Sequence, residues 1–380
     1  LAAAAVELLE LRQRARTKFA QADRMFFTRE GLEQATGEAV ARYRAGRFPV
    51  GSQILDACCG IGSDLVALAA CGPTLAVDHN SLTLACARAN ALACGPDHPA
   101  AFLCADVTGL DLGRLRRCGI TAAFFDPSRR VDAATGGRRR ARDAAEYAPP
   151  LSWLQALTGH FSAVGAKVSP AIDDDALAQT GAEVEFISAR GECKEAALWY
   201  GLAAETLIGH HVSPVRNTYI ATVLRPGVPP ATLTAEAESE PAASAPGAWL
   251  YEPDPAVIRA HLVGTLAIHL DAAPLEPQVA YLTADHYQET PFATGYRILD
   301  AMPFHLKHLQ QWLRRHGRRA EVVKRRGVPL EPEEMRRRLA HPDLANAPAT
   351  VLVLTQVGGK PFALLCDPPA SIHTADGGPD

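Results

Sequence analysis

ILDACCGIGSD, residues 54–64, reads as an apolar strand that ends at Asp56, turns at Gly60 and Gly62 and enters a helix near Asp64. Glycines let the backbone turn sharply and approach a ligand where a Cβ would clash. The stretch lacks the Gly-Lys-Ser/Thr ending of a phosphate loop, and its Gly-x-Gly is too short for the dinucleotide fingerprint. A carboxylate at the strand end suits instead a cationic amino-acid ligand whose ammonium needs a partner.

Outward from this stretch, the runs TLAVD, AAFLCAD, TAAFFDP, AVGAKVSP, EVEFISA and AALWYG alternate with helical stretches at 62–71, 81–93, 150–158 and 173–180. Buried strands alternating with helices predict an α/β fold with a mostly parallel sheet covered on both faces. Asp78 closes the second strand, where a carboxylate can accept both hydroxyls of a ribose, with His79 beside it. Asp106 closes the third, before Val107, where a carboxylate can receive an adenine amino group. A lone Asp at a strand end is ordinarily a helix cap, but three at successive strand ends form an ordered set at the crevice where open parallel sheets bind ligands. The fourth strand ends in FFDPSRR (124–130). There Asp126 can accept a substrate proton or hydrogen bond, Pro127 turns the loop outward, and Arg129 and Arg130 can hold a substrate anion.

Residues 1–48 read as a helical segment, with Leu8, Leu11, Ala15 and Phe19 on one face and a fresh start near Thr28. The sheet region is expected over 49–225. A stretch rich in Pro, Ala, Ser and Glu marks a linker over 226–246. Beyond it, helices are expected at 255–270, 304–316 and 332–339, with strands at AEVVKRR, ATVLVLTQV and PFALLCD, as a smaller α+β region.

The composition, 48% hydrophobic and 21% charged, is that of a folded globular chain, and 380 residues are too many for one ordinary core. Nine cysteines without zinc spacing read as reduced thiols of an intracellular protein. The apolar start from Leu1 to Leu11 runs into Arg12, Arg14 and Arg16 without a cleavage pattern. No later run reaches the length of a membrane span, so a cytoplasmic protein with no membrane partner is expected. The chain begins at Leu1 rather than Met, which leaves room for preceding residues. The adjacent His210 and His211 would point different ways on a strand, and no metal is expected. Residues 302–340 carry eleven Lys or Arg against four Glu, a net +7 in a chain whose total is −4. Such asymmetry points to a polyanion, with Lys324, Arg325 and Arg326 expected along one loop as phosphate ligands. Oligomeric state is not legible.

Together these residues resemble class I S-adenosylmethionine-dependent methyltransferases. LDACCGIGSD stands as the glycine motif, Asp78 as the ribose acid and DPSR in the place of the Asp/Asn-Pro-Pro-aromatic motif. The runs KFAQADRMFFTREGLEQAT, FFDPSRR, YAPPLSWL, KEAALWYG, WLYEPDPAVIRA, YLTAD and VVKRRGVPLEPEEMRRRL resemble, in this order, the bacterial THUMP-like-domain-containing methyltransferases. The resemblance implies a Rossmann-like seven-stranded sheet, a ferredoxin-like unit over 247–301 and a THUMP-like module over 302–369. It also implies S-adenosyl-L-methionine as cofactor, held by Asp56, Cys58, Gly60, Gly62, Asp64, Asp78, His79, Asp106 and Val107. A distant similarity to trimethylguanosine synthases suggests that Phe27 and Thr28 fold back over the cofactor. RNA is the expected substrate, with Asp126, Pro127 and Arg129 serving the methyl transfer to a base nitrogen. Ser128 and Arg129 replace the usual stacking aromatic, which is a departure from the motif. A small-molecule or protein substrate remains open. So does a catalytically silent module that binds RNA, and carbon-5 methylation would need a nucleophile such as Cys193.

Overall fold

The computed structural model describes residues 2–129, 147–202, 218–235 and 241–369. The chain divides into two compact units, Leu1–Pro230 and Ala231–Asp380.

In the first unit all seven expected runs are strands: β1 (Ile54–Ala57), β2 (Thr74–Asp78), β3 (Ala100–Cys104), β4 (Ala122–Phe125), β7 (Ala163–Val168), β8 (Glu183–Ala189) and β9 (Glu192–Tyr200). Between them a two-residue pair, β5 (Ser128–Arg129) and β6 (Tyr147–Ala148), forms a separate antiparallel ribbon. A further strand, β10 (Tyr219–Leu224), lengthens the large sheet, whose order within this unit is β10-β8-β9-β7-β4-β1-β2-β3. The strands from β3 to β7 are parallel, and β9 lies antiparallel between β7 and β8. Chain order reverses beside β1, whose neighbours are β2 and β4. Open sheets bind ligands at such a switch point, beyond the carboxyl ends of the strands.

Burial explains why these strands are legible as apolar runs. Every residue of β1 and β4 is buried, because helices cover both sheet faces. The helix Glu38–Ala45 belongs to one of these layers: Val40, Ala41, Ala45 and Phe48 pack with Ile54, Phe124 and Trp199. A buried polar knot fastens it. Glu185 of β8 accepts from Arg47, Trp199 and Thr222 at 2.9, 2.9 and 2.6 Å and from the Tyr43 hydroxyl. Four donors serve the two carboxylate oxygens, so neither oxygen of this buried group is left without a partner.

The second unit holds one seven-stranded sheet of order β13-β14-β12-β15-β18-β17-β16. Its strands are β12 (Trp249–Pro253), β13 (Ala273–Glu276), β14 (Val279–Ala284), β15 (Ala293–Pro303), β16 (Arg319–Arg325), β17 (Ala349–Val357) and β18 (Lys360–Cys366). The expected boundary at 301/302 falls inside β15, which pairs with β12 through its first half and with β18 through its second. The expected linker is not wholly irregular either, since Ala231–Thr234 is a strand (β11). The helix expected over 255–270 is two short helices, Pro255–Arg259 and Val263–His269. His261 takes φ 57° between them, a left-handed value that a helix cannot include. Helices Leu306–His316 and Pro332–Leu339 lie close to expectation and pack their apolar faces into a core with Leu352, Leu354 and Leu365.

Candidate active site

Leaving β1, the chain turns out of the sheet at Cys58, which takes φ 68°, while the Cys58 and Cys59 amides both donate to the Val77 carbonyl at 3.0 Å. A non-glycine residue held at positive φ is strained, and here two hydrogen bonds to β2 over-determine it. Gly62 follows at φ 83°, where a Cβ would lie 3.0 Å from the Ala87 backbone. The loop can therefore pack on the helix Ser81–Cys94 only with glycine at 62. At Gly60 a Cβ would meet nothing within 4 Å, so that side of the loop is open to a ligand. Burial pushes both thiols up from their ordinary range. They are packing groups here, not thiolates.

The strand-end carboxylates differ in what they touch. Asp56 is fully buried, and neither of its oxygens has a hydrogen-bond partner among the described residues. Burial first, then Asp64, Asp126 and Asp78, raises its pKa well above the carboxylate range. An orphaned buried carboxylate is costly and calls for a cation or a proton. Asp78 orders the loop: one oxygen accepts from the Gly60 amide at 2.9 Å, the other from Asn80 N at 2.8 Å and Thr83 Oγ1 at 3.2 Å. His79 is exposed, with Nδ1 3.7 Å from Asp78. Asp106 is exposed and caps a short turn by accepting from Thr108 N and Oγ1 at 2.9 and 2.7 Å, which lowers its pKa; Val107 behind it is buried.

Asp64, which the sequence assigns to the cofactor, instead directs its carboxylate at the buried Arg44 guanidinium, from which it accepts. Arg44 also pairs with Glu195 of β9 at 2.9 Å, donates to Thr36 Oγ1 at 3.1 Å and lies 4.5 Å over the Phe124 ring. Asp64 thus anchors the loop's helix to the helix Glu38–Ala45.

Asp126 stands at the end of β4, beside β1 in register. Lys167 of β7 reaches its Oδ2 at 2.7 Å and the Gln34 carbonyl at 3.3 Å. Burial raises the Asp126 pKa, and Lys167 opposes the rise. Burial works against the Lys167 charge, yet Asp126, Asp64 and Glu195 together hold its pKa above the usual value. Glu195 is raised to about 7 by burial, against the pull of Arg44 and Lys167. Pro127 is buried, and Arg129 lies in the backbone of β5 opposite Tyr147. Arg130, His210 and His211 lie outside the described residues. Trp153 sets its ring edge against Phe125 at 5.2 Å, and Cys193 is half-buried with Sγ donating to the Glu195 carbonyl at 3.8 Å.

The N-terminal segment packs directly on the glycine loop. Phe27 is buried among Leu11, Phe19, Leu32 and Ile61, so it is core to this segment, and Thr28 caps the helix Arg29–Gln34 through Gly31 N at 2.9 Å. Asn90, overlooked in the sequence, does the fastening. Its side chain accepts from Phe26 N at 2.7 Å and donates to Phe26 O at 3.0 Å and Ile61 O at 2.8 Å. A polar residue on an apolar helix face was the only available signal.

Comparison with known proteins decides what the site belongs to. The chain is 33% identical, over 366 residues, to an uncharacterized S-adenosylmethionine-dependent methyltransferase of Mycobacterium tuberculosis, present in strains CDC 1551 / Oshkosh and ATCC 25618 / H37Rv. The match covers 93% of this chain and 92% of the relative. The chain belongs to the S-adenosylmethionine-dependent methyltransferases. This methyltransferase also matches the THUMP domain-like family over residues 293–368, nine residues earlier than the expected start at 302. Its fold is shared with a crystal structure from Porphyromonas gingivalis W83, provisionally named a methyltransferase, at TM-score 0.78 and 24% identity over 95% of this chain and 88% of that one. The expected similarity to trimethylguanosine synthases finds no support among these relatives. The donor's ammonium matches the orphaned Asp56 carboxylate, and the open side of Gly60 leaves room for it, so the residues present fit the cofactor.

The cations expected to bind substrate in the second unit are differently placed. Lys324 and Arg325 lie on β16, where successive side chains point to opposite faces, not on a loop. Lys324 pairs with Glu252 at 2.5 Å, Arg325 with Glu331 at 3.1 Å, and Arg326 donates to the Ala280 carbonyl at 2.7 Å over the Tyr281 ring. Each of the three has a protein partner, and Arg325 remains exposed. Among the described residues no group of three or more His, Cys, Asp or Glu is placed to hold a metal, and no helix is long and apolar enough to cross a membrane.

Proposed function

We propose that the methyltransferase transfers a methyl group from S-adenosyl-L-methionine to a base nitrogen of structured RNA, tRNA or rRNA. The observation that carries this reading is the half-buried Asp126 carboxylate on β4 beside the glycine-loop strand, with Oδ2 on Lys167 and Oδ1 free of any protein partner among the described residues. When bound, the cofactor supplies an electrophilic methyl. The chain's own residues then have three tasks. Asp56 meets the donor's ammonium, while Asp78, with His79, and Asp106, with Val107, hold the ribose and adenine ends. Asp126 accepts the hydrogen bond or proton of the substrate amine through its open oxygen, with the Pro127 carbonyl as a second acceptor and Arg129 and Arg130 holding the substrate. Packing of the N-terminal segment on the loop keeps water away from the transfer.

RNA as the substrate is supported by the THUMP-like match over 293–368 and by the positive charge of 302–340. The test is incubation of the full chain with labelled methyl donor and total bacterial RNA, followed by nucleoside analysis. Label in a methylated base is the expected result. Label confined to protein or small molecules would overturn the RNA assignment, and cofactor binding without any transfer would mark a silent RNA-binding module.

A further inference from the structure

Of the eleven cations between residues 302 and 340, seven have a partner in the protein, four of them in exposed surface pairs. Besides Lys324, Arg325 and Arg326, Arg318 pairs with Asp367, Arg319 with Glu321, Arg336 with Glu333 and Arg338 with Glu334. The positive charge left over is concentrated elsewhere. Lys307, Arg314 and Arg315, all exposed on the helix Leu306–His316, have no ion-pair partner among the described residues, and the helix contains no acidic residue. Arg337, exposed on the adjoining helix Pro332–Leu339, is the fourth such cation; Gln310 Nε2 donates to the Arg338 carbonyl at 2.9 Å between the two helices.

Helical geometry gathers them. At about 100° per residue, Lys307, Gln311, Arg314 and Arg315 fall within an arc of roughly 100°, opposite the face that buries Leu309, Trp312 and Leu313. Solvated helix faces ordinarily mix both signs, as Pro332–Leu339 does by pairing Glu333 and Glu334 with its own arginines. A single-sign face with no internal acid is complementary to a polyanion.

We infer that this face of the helix Leu306–His316, through Lys307, Arg314 and Arg315, grips the phosphate backbone of RNA, rather than the strand cations at 324–326. The inference rests on the RNA reading above and places its contact surface. Two arginines and a lysine along about two helical turns suit successive phosphates, with Gln311 between them as a neutral donor.

The test uses the full chain and fluorescently labelled bulk tRNA, with binding followed across a salt series. Wild type should show a slope of log affinity against log salt that Lys307→Gln/Arg314→Gln/Arg315→Gln makes shallower by roughly 2–3. Arg314→Lys/Arg315→Lys, which keeps the charges, should retain the slope, as should Arg336→Gln/Arg338→Gln on the neighbouring helix. Cofactor titration and far-ultraviolet circular dichroism should be unchanged throughout. Equal slopes in wild type and triple variant would overturn the placement while leaving RNA methylation intact. Equal loss of binding to polyglutamate or to phosphatidylserine vesicles would overturn it too, as a surface for another anion class. Absence of tRNA binding and of RNA methylation by wild type would remove the RNA reading itself.

Discussion

Lys167 Nζ lies 2.7 Å from Asp126 Oδ2, and the same ammonium reaches the Gln34 carbonyl at 3.3 Å. One side chain therefore holds the proposed catalytic carboxylate and ties it to the helix Arg29–Gln34.

Removing that ammonium should move the pH dependence of turnover in a definite direction. Burial raises the Asp126 pKa and Lys167 opposes it, so Lys167→Met should raise it further. Since the carboxylate is the working form, the ascending limb of the kcat profile should shift to higher pH, with partial recovery of rate in alkaline buffer. An unmoved limb would show that the pair is only structural.

Asp126→Ala separates chemistry from binding. The donor should bind with wild-type affinity by calorimetry while kcat falls by roughly 10² or more. A variant that turns over at the native rate would leave Asp126 as a simple strand-end partner for Lys167.

At Asp78 the expected loss has two sources, because the carboxylate also accepts from the Gly60 and Asn80 amides. Charge-assisted hydrogen bonds are each worth about 1.5–3 kcal/mol, so Asp78→Ala should weaken the donor about tenfold or more by calorimetric titration. Asp78→Asn, which keeps one acceptor oxygen, should lose less. Wild-type affinity in Asp78→Ala would remove the ribose assignment.

Asn90→Ala should detach the N-terminal segment from the glycine loop. It leaves the part-buried Phe26 amide and carbonyl and the buried Ile61 carbonyl without their partner, and a buried unsatisfied group such as the last costs about 1–3 kcal/mol. Thermal denaturation should show a midpoint several degrees lower, and added cofactor should recover less of it than in wild type. Equal stabilisation by cofactor in both proteins would mean that the staple does not reach the binding loop.

Glu195 supplies a stability prediction. Its folded pKa, about 7, stands above the value of an exposed glutamate, so the folded state holds the proton more tightly than the unfolded chain. Its contribution is fully present at low pH and is lost as pH rises from the unfolded value through about 7. The thermal midpoint should therefore decline over that window more steeply in wild type than in Glu195→Gln, which mimics the protonated form. Parallel declines would assign the slope to the other acids whose pKa burial raises, Asp56, Asp126 and Glu183.

The sheet was legible because a parallel strand covered on both faces must be apolar throughout, and β1, β2 and β4 advertise themselves that way. The strand-end acids were legible for the opposite reason, since Asp56, Asp78 and Asp126 interrupt apolar runs within one residue of where each strand stops. Side-chain partnerships were not. Nothing near Asp64 signals Arg44, twenty residues away, and nothing near Lys324 signals Glu252, because such pairs are made by the folded backbone and leave no local periodicity. Clustered charge is therefore legible in the sequence, while which of its side chains already have protein partners is not.

Strand β15 runs from Ala293 to Pro303 and belongs to both halves of the second sheet, with its register shift between Ile298 and Asp300 where the partner changes from β12 to β18. A fragment cut at residue 302 would expose the backbone edge of β18 and strip Tyr296 and Ile298 from the core they share with Val353 and Leu364. The module matched as THUMP domain-like is accordingly not a portable cassette. Any graft or truncation that hopes to preserve it must start ahead of β12, and both halves of that sheet should melt together.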